Sequence, residues 1–156
     1  MLERKRKLDC ANGREKADLV LKNGNVLNVF TEEVLKADVA ICGDTIVGVG
    51  EYEGKEEIDC TGKYLVPGFI DAHMHIESCM AAPGELAKVL AKAGTTTIIA
   101  DPHEIVNVSG TKGMDYFLKC AAKLLVNVFF MVPSAVPATD VETNGCGEFL
   151  ASDMMK

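Results

Sequence analysis

Residues 67–78, PGFIDAHMHIES, decide the fold, because they join an apolar run to two histidines one residue apart. If this stretch is a β-strand, its side chains alternate between two faces. The face that turns polar toward the strand end carries Phe69, Asp71, His73, His75 and Glu77. The opposite face stays apolar and carries Ile70, Ala72, Met74 and Ile76. The pattern predicts a strand that packs under helices on one side and ends in candidate functional residues on the other.

The chain beyond this stretch alternates between strand and helix patterns. Apolar and β-branched runs predict strands over residues 65–72, 95–100 and 126–132. Apolar residues at helical spacing predict helices over residues 84–93 and 111–125. Strands and helices that alternate at this spacing form βαβ units with a parallel sheet. The predicted fold class from residue 64 onward is therefore α/β, either as an open sheet or as the start of a closed barrel.

A different pattern precedes this region, over residues 17–63. Asn23-Gly24 and Gly43-Asp44 lie between β-rich runs and predict two tight hairpins. A further short strand is predicted over residues 57–60. Together these segments predict a small β module of about five short strands, which is too thin to form much core by itself. Residues 1–16, with the basic run RKRK at positions 4–7, are predicted to be a solvated extension.

The composition excludes several classes of protein. The chain has 156 residues, 48% apolar composition and a mean hydropathy of +0.13, which are typical of a globular protein. Its net charge of −7 argues against nucleic acid as the main partner. No apolar run is long enough to predict a membrane span. Six cysteines without a C-x-x-C pair or a signal-peptide pattern favour a reducing, cytoplasmic location.

All three histidines of the chain fall at the predicted carboxyl end of a strand. His73 and His75 end the first strand, and His103 lies in DPHE, residues 101–104, just after the second. The carboxyl ends of parallel strands meet at one edge of the sheet, where α/β proteins form their active sites. Two imidazoles at i and i+2 on one strand face can reach a single zinc, iron or manganese ion. The pair therefore predicts a metal site.

Other polar residues at this edge are open to two interpretations. The candidates for lining the site or orienting its ligands are Glu77, Asp101, His103, Glu104 and Ser134. The alternative is a purely structural role, because a single histidine at a strand end is commonly an ordinary polar residue and Asp-Pro is a common start of a turn. Asp71 is expected to serve the end of the strand rather than the metal.

The order of these segments resembles the start of an enzyme of the amidohydrolase superfamily. The general element is PGFIDAHMH at residues 67–75, which is similar to a segment that many members of that superfamily share. HIES at residues 75–78, DPHEIVNV at 101–108 and VPSAVPAT at 132–139 resemble segments of the bacterial and archaeal adenine deaminase family. The resemblance covers residues 17–156.

That resemblance implies a composite β-sandwich beside a (β/α)8 barrel with a divalent metal, manganese or iron, with zinc as a further candidate. It implies that His73 and His75 are metal ligands. The residues that it implies as lining are Glu77, Asp101, His103, Glu104 and Ser134. The implied reaction is attack of a metal-activated hydroxide on C6 of adenine, which yields hypoxanthine and ammonia. The implied partner is the small molecule adenine, and a homo-oligomer is expected for the full-length form.

The length of the chain limits this expectation. A (β/α)8 barrel takes about 250 residues, so residues 64–156 have room for only about three of its strands. The remaining metal ligands of the family have no counterpart here. The sequence therefore predicts the N-terminal part of such an enzyme, without activity by itself.

Two other interpretations remain open. The same segments are compatible with an amidohydrolase that acts on a cyclic amide or an N-acyl compound, as dihydroorotases, hydantoinases and deacetylases do. A lysine on the fourth strand in place of a glutamate would favour that interpretation. The chain is also compatible with a non-catalytic module that binds another protein, which a compact, cooperatively unfolding monomer would favour.

Overall fold

The chain folds into two compact units, Met1–Pro67 and Gly68–Lys156. The computed structural model describes residues 2–133, 136–139, 141, 142, 145, 152 and 153. Among these residues no helix combines the length and the apolar character that crossing a membrane requires.

The first unit is a helix followed by a five-stranded mixed sheet. Its elements are α1 (Leu2–Ala11), β1 (Ala17–Asn28), β2 (Glu33–Cys42), β3 (Thr45–Gly50), β4 (Gly54–Asp59) and β5 (Tyr64–Leu65). The order across the sheet is β3-β2-β1-β4, and β5 pairs with β1. β2 runs antiparallel to β1 and β3, whereas β4 and β5 run parallel to β1. The predicted hairpin at Gly43-Asp44 is confirmed, and it joins β2 to β3.

The prediction of a hairpin at Asn23-Gly24 is wrong. β1 is one strand that passes through both residues and pairs with β2 on either side of them. Asn23 has a φ of 59° and the register shifts between Leu21 and Gly24, which is the geometry of a β-bulge. Gly24 also allows close packing, since a Cβ there would lie 2.5 Å from Cδ1 of Leu65. The Asn-Gly pair therefore bends a strand rather than reversing it.

The N-terminal segment differs from the predicted solvated extension. It forms α1, and Cys10 on this helix is completely buried. Two basic residues of α1 bind the sheet: Arg6 pairs with Asp18, and Nζ of Lys7 lies 2.8 Å from Oδ1 of Asp44. A short charge run suggested exposure to solvent, but its acidic partners lie on β1 and in the β2–β3 turn. These ion pairs hold the helix against the sheet.

The second unit is a three-stranded parallel sheet with helices, which confirms the predicted α/β alternation. Its elements are β6 (Phe69–Met74), a 3₁₀ turn (Glu77–Cys79), α2 (Pro83–Lys92), β7 (Thr95–Ala100), α3 (His103–Ser109), α4 (Thr111–Ala121) and β8 (Asn127–Phe130). The order is β6-β7-β8, and both pairs of strands are parallel. A buried cluster in its core consists of Ile76, Ile98, Ala100 and Phe117. The sequence pattern did not indicate α3, and α4 ends at Ala121 rather than at residue 125.

The first strand of this sheet begins at Phe69 rather than at residue 65. The two residues of β5 belong to the first unit instead, because their backbone pairs with Asn25 and Val26 of β1. The boundary between the units therefore follows Pro67 rather than residue 63.

The predicted apolar face of β6 is buried only toward its carboxyl end. Ile76 is 2% exposed and Met74 packs against the core, whereas Ile70 is 65% exposed. In the part of the chain that the structure describes, β6 is an edge strand that pairs with β7 alone. The helix α2 contacts β7, the strand beside it.

Candidate metal centre

The two histidines of the HMH segment lie side by side at the carboxyl end of β6. His73 is exposed, and His75 is half-buried. Their Nε2 atoms are 3.3 Å apart, and their rings are inclined at 74°. Two nitrogens bound to one tetrahedral zinc ion, each at about 2.0–2.1 Å, are about 3.3–3.4 Å apart. The pair therefore has the separation of two ligands of one ion.

Asp101 lies at the same edge of the sheet. Its N–H donates to the carbonyl of Met74 at 2.8 Å, which brings the end of β7 beside the histidine strand. One ligand atom from each of His73, His75 and Asp101 lies within 4.8 Å of the others. Oδ1 of Asp101 is buried and has no hydrogen-bond partner among the described residues. A buried carboxylate oxygen without a partner is costly unless a cation or a proton satisfies it, so a divalent ion fits this set of residues.

Glu104 forms a hydrogen bond with Nδ1 of His75, the ring nitrogen that is not next to His73. Nδ1 of His75 is 2.8 Å from Oε2 of Glu104, and Oγ of Ser78 donates to Oε1 of the same carboxylate at 3.3 Å. Burial lowers the pKa of His75, but the hydrogen bond to Glu104 and the surrounding carboxylates outweigh burial and raise it overall. Burial raises the pKa of Glu104, and the backbone N–H of Glu104 together with His75 lowers it overall. With Nδ1 bonded to the carboxylate, Nε2 of His75 is the atom available to a metal.

The short helix α3 places Glu104 at this point. DPHE leads from β7 directly into α3, whose first residue is His103. Oε1 of Glu77 accepts the N–H of Ile105 at 2.9 Å, so a residue of the 3₁₀ turn satisfies a backbone donor in the first turn of the helix. Oε2 of Glu77 is buried without a partner among the described residues. Glu77 therefore contacts α3 directly and the two histidines only indirectly.

His103 does not join the other two histidines. Its Nε2 lies 2.9 Å from Oε1 of Glu142, and Nδ2 of Asn107, one turn further along α3, donates to the same oxygen at 2.9 Å. Successive residues of a helix point in directions about 100° apart. Glu104 therefore faces His75, while His103 faces the loop that follows β8.

Asp71 does not belong to the cluster. Oδ1 of Asp71 accepts the N–H of His73 at 3.1 Å and so supports the end of the strand. Ser134 lies outside the described residues. Sequence reasoning missed Glu142 and Asn107, because Glu142 is 39 residues from His103 and no periodic pattern connects them.

Comparison with known proteins identifies the class of protein. A model described as the amidohydrolase family matches residues 64–153. The chain belongs to the amidohydrolase family. Membership of this family implies a divalent metal ion. The three residues His73, His75 and Asp101 are a ligand set that fits such an ion.

The relatives that the chain resembles include adenine deaminases. It is 58% identical over 142 residues to the adenine deaminase of Desulfitobacterium hafniense, and 52% identical over 139 residues to that of Clostridium acetobutylicum. These matches cover 91% and 89% of this chain, but 25% and 24% of those proteins. The chain therefore spans about a quarter of the length of the curated relatives that it matches.

Solved structures have the same type of fold. The chain matches N-acyl-D-glutamate deacylase from Bordetella bronchiseptica, complexed with zinc and a phosphonate inhibitor, with a TM-score of 0.63 and 19% identity. That match covers 90% of this chain and 34% of the deacylase. A D-aminoacylase matches with a TM-score of 0.59 and 25% identity, over 77% of this chain and 30% of that enzyme. These likenesses show an amidohydrolase-type fold.

Proposed function

We propose that this chain supplies the β module and the first metal-binding segment of an adenine deaminase, which hydrolyses adenine to hypoxanthine and ammonia. The proposal rests on three side chains that lie together at one edge of the sheet, those of His73, His75 and Asp101. Among the described residues, the buried Oδ1 of Asp101 has no hydrogen-bond partner. A cluster of imidazole and carboxylate ligands supports a hydrolytic metal site. The substrate is inferred from the 58% identity with an adenine deaminase.

Sequence identity favours adenine over the other substrates that the sequence left open. The adenine deaminases are 58% and 52% identical to the chain, whereas the D-aminoacylase is 25% identical. The fold similarity to D-aminoacylase supports a shared architecture more than a shared substrate. The proposed partner is therefore a small purine rather than a cyclic amide or an N-acyl compound.

The residues at the candidate metal centre would have different roles. His73, His75 and Asp101 would hold the ion, and Glu104 would orient His75 through Nδ1. When bound, a divalent ion lowers the pKa of a coordinated water toward neutrality and so supplies the nucleophile. A mixed set of imidazole and carboxylate ligands suits manganese or iron, with zinc as the alternative.

The proposal includes a larger architecture. Residues 17–63 would form half of a composite β-sandwich, and residues 64–156 would form about the first three βα units of a (β/α)8 barrel. The parallel order β6-β7-β8 supports the second part. The five cysteines that the structure describes are free thiols, which supports a cytoplasmic location. A homo-oligomer is proposed for the full-length form.

A chimera tests the proposed function. This chain would replace the matching quarter of the Desulfitobacterium hafniense adenine deaminase. We expect the chimera, loaded with Mn²⁺, to convert adenine to hypoxanthine, measured by the change in ultraviolet absorbance and by release of ammonia. The chimera that carries His73→Ala and His75→Ala is the matched control, and it should be inactive. The 156-residue chain alone is expected to show no conversion.

Two results would contradict the proposal. One is a folded, metal-loaded chimera that does not deaminate adenine although the parent enzyme does so under the same conditions. The other is a double-histidine variant of the chimera that remains as active as the unaltered chimera.

A further inference from the structure

We propose that Glu142 is a positioning residue for the metal centre, acting through helix α3. Glu142 would keep α3 in the position at which Glu104 forms its hydrogen bond with His75. The inference rests on the metal site of the proposed function, but it concerns a residue outside the ligand set and a contact that no sequence pattern predicts.

Both carboxylate oxygens of Glu142 have partners. Oε1 accepts hydrogen bonds from Nε2 of His103 and Nδ2 of Asn107, each at 2.9 Å. Oε2 accepts the N–H of Ala138. The side chain of Glu142 is 23% exposed and that of His103 is 24% exposed, so these contacts are largely shielded from water. One carboxylate therefore joins α3 to the loop after β8.

The geometry of α3 connects this carboxylate to the metal site. His103 and Asn107 are four residues apart, so they lie on the same face of the helix and both reach Glu142. Glu104 follows His103 and reaches His75 on another face. Glu77 bonds the N–H of Ile105 in the same turn. A shift of α3 away from Glu142 would therefore move Glu104 relative to His75.

The loop also packs against α3 through its backbone. The N–H of Gly145 donates to the carbonyl of Asn107 at 3.0 Å. A Cβ at Gly145 would lie only 2.8 Å from the carbonyl oxygen of Val108, so the approach of the two backbones is close. Among the described residues, Glu142 contacts the helix through its side chain and Gly145 contacts it through its backbone.

The helix needs external support because it is short. α3 has seven residues, and helices shorter than about 12–15 residues are marginally stable in isolation. The N–H of Ala138, followed by His103, holds the pKa of Glu142 below its ordinary value, so the carboxylate stays ionised near neutral pH. Hydrogen bonds to an ionised acceptor are about twice as strong as those between neutral groups. Glu142 is thus a substantial part of the support of α3.

The test compares two variants of Glu142 with a control. Glu142→Ala removes all three contacts, whereas Glu142→Gln keeps one acceptor oxygen for α3. The control is Glu85→Ala on α2, an exposed residue whose carboxylate pairs with Lys88 at 2.7 Å. Mn²⁺ affinity of the 156-residue chain is measured by titration calorimetry, and amide hydrogen exchange is measured at Ile105, whose N–H is bonded to Glu77.

We expect Glu142→Ala to weaken Mn²⁺ binding about tenfold, which is the lower end of the range for residues that orient metal ligands. Exchange at Ile105 should become faster, because the helix loses its support. Glu142→Gln should fall between Glu142→Ala and the unaltered chain, and Glu85→Ala should match the unaltered chain. A purely structural role would lower the melting temperature without changing the Mn²⁺ affinity of the folded protein.

The outcomes separate this inference from the proposed function. If the unaltered chain binds no Mn²⁺, the proposed metal site is wrong, and exchange at Ile105 still tests the contact of Glu142 with α3. If the unaltered chain binds Mn²⁺ and folded Glu142→Ala binds it equally well, with unchanged exchange at Ile105, the role of Glu142 is overturned. If Glu142→Ala does not fold, Glu142→Gln decides the question. The role of Glu142 is then overturned if Glu142→Gln has the same Mn²⁺ affinity and the same amide exchange at Ile105 as the unaltered chain.

Discussion

His75 and Glu104 form the hydrogen bond that organises the candidate metal centre, with Nδ1 of the imidazole 2.8 Å from Oε2 of the carboxylate. The two residues follow different strands and are 29 positions apart in the sequence. A carboxylate on the second nitrogen of a ligand histidine fixes the orientation of the ring and raises its basicity. This contact therefore links the DPHE segment to the candidate metal centre through His75.

Glu104→Ala should weaken metal binding without removing it. The variant leaves all three candidate ligands in place, but Nδ1 of His75 loses its carboxylate partner. We expect the affinity for Mn²⁺ to fall about 10- to 100-fold in titration calorimetry. Ser78→Ala is the matched control, since it removes only the 3.3 Å contact to the same carboxylate and should change the affinity much less. An unchanged affinity in Glu104→Ala would exclude this role for Glu104.

Asp101→Asn should weaken metal binding without lowering the stability of the metal-free protein. The substitution keeps the shape of the side chain but removes a negative charge from the ligand set. We expect Mn²⁺ affinity to fall at least about tenfold, because even residues outside the ligand set have effects of that size. The metal-free protein should be as stable as before or more stable, because Oδ1 of Asp101 is buried without a partner among the described residues.

Thermal denaturation with and without Mn²⁺ checks both parts of that prediction. Asp115→Asn, an exposed position on α4, serves as the control and should leave affinity and stability unchanged. A marked loss of stability in the metal-free Asp101→Asn protein would indicate that the carboxylate has a structural partner.

Asp18 should make the stability of the first unit depend on pH. Hydrogen bonds from Arg6, the N–H of Gly43 and Lys55 hold the pKa of Asp18 well below its ordinary value. A carboxylate with a lower pKa in the folded state stabilises that state above its unfolded pKa of about 3.9, and this contribution is lost as the pH falls through the folded pKa. Asp18→Asn should therefore lower the urea midpoint at pH values near neutrality.

The difference between Asp18→Asn and the unaltered chain should shrink as the pH falls below about 4. Urea titrations at several pH values, followed by circular dichroism, measure it. Glu56→Gln, an exposed substitution on β4, is the control and should have little effect throughout. A difference that stays constant down to the lowest pH would mean that the charge of Asp18 is not its cause.

Gly24 and Gly84 should respond in opposite ways to substitution by alanine. A Cβ at Gly24 would lie 2.5 Å from Cδ1 and 2.8 Å from Cγ of Leu65, so the side chain of Leu65 would have to move. We expect Gly24→Ala to lower the free energy of unfolding by about 1–3 kcal/mol. A Cβ at Gly84 meets no described atom within 4 Å, and Gly84→Ala in α2 should be neutral or raise that free energy by up to about 1 kcal/mol. Equal effects of the two substitutions in urea unfolding would contradict the packing described for β5.

The sequence by itself determined the features that depend on neighbouring residues. The run TTTIIA predicts β7 with the bounds that the structure has, because β-branched residues favour extended backbone locally. The alternation of strands and helices predicts the parallel sheet, and the i, i+2 spacing predicts that His73 and His75 share one face of the strand. These conclusions need only backbone periodicity and the rule that parallel strands end at a common edge.

Only the tertiary structure decided the features that depend on distant partners. The Asn23-Gly24 pair is equally suited to a turn or a bulge, and pairing of β2 along the whole of β1 selects the bulge. Arg6 and Lys7 of α1 bind the sheet because Asp18 and Asp44 lie beside them. Glu142 meets α3 from the loop after β8. These features depend on packing and ion pairs between segments that are far apart in the chain. Such contacts produce no periodic pattern in the sequence, so the sequence alone does not predict them.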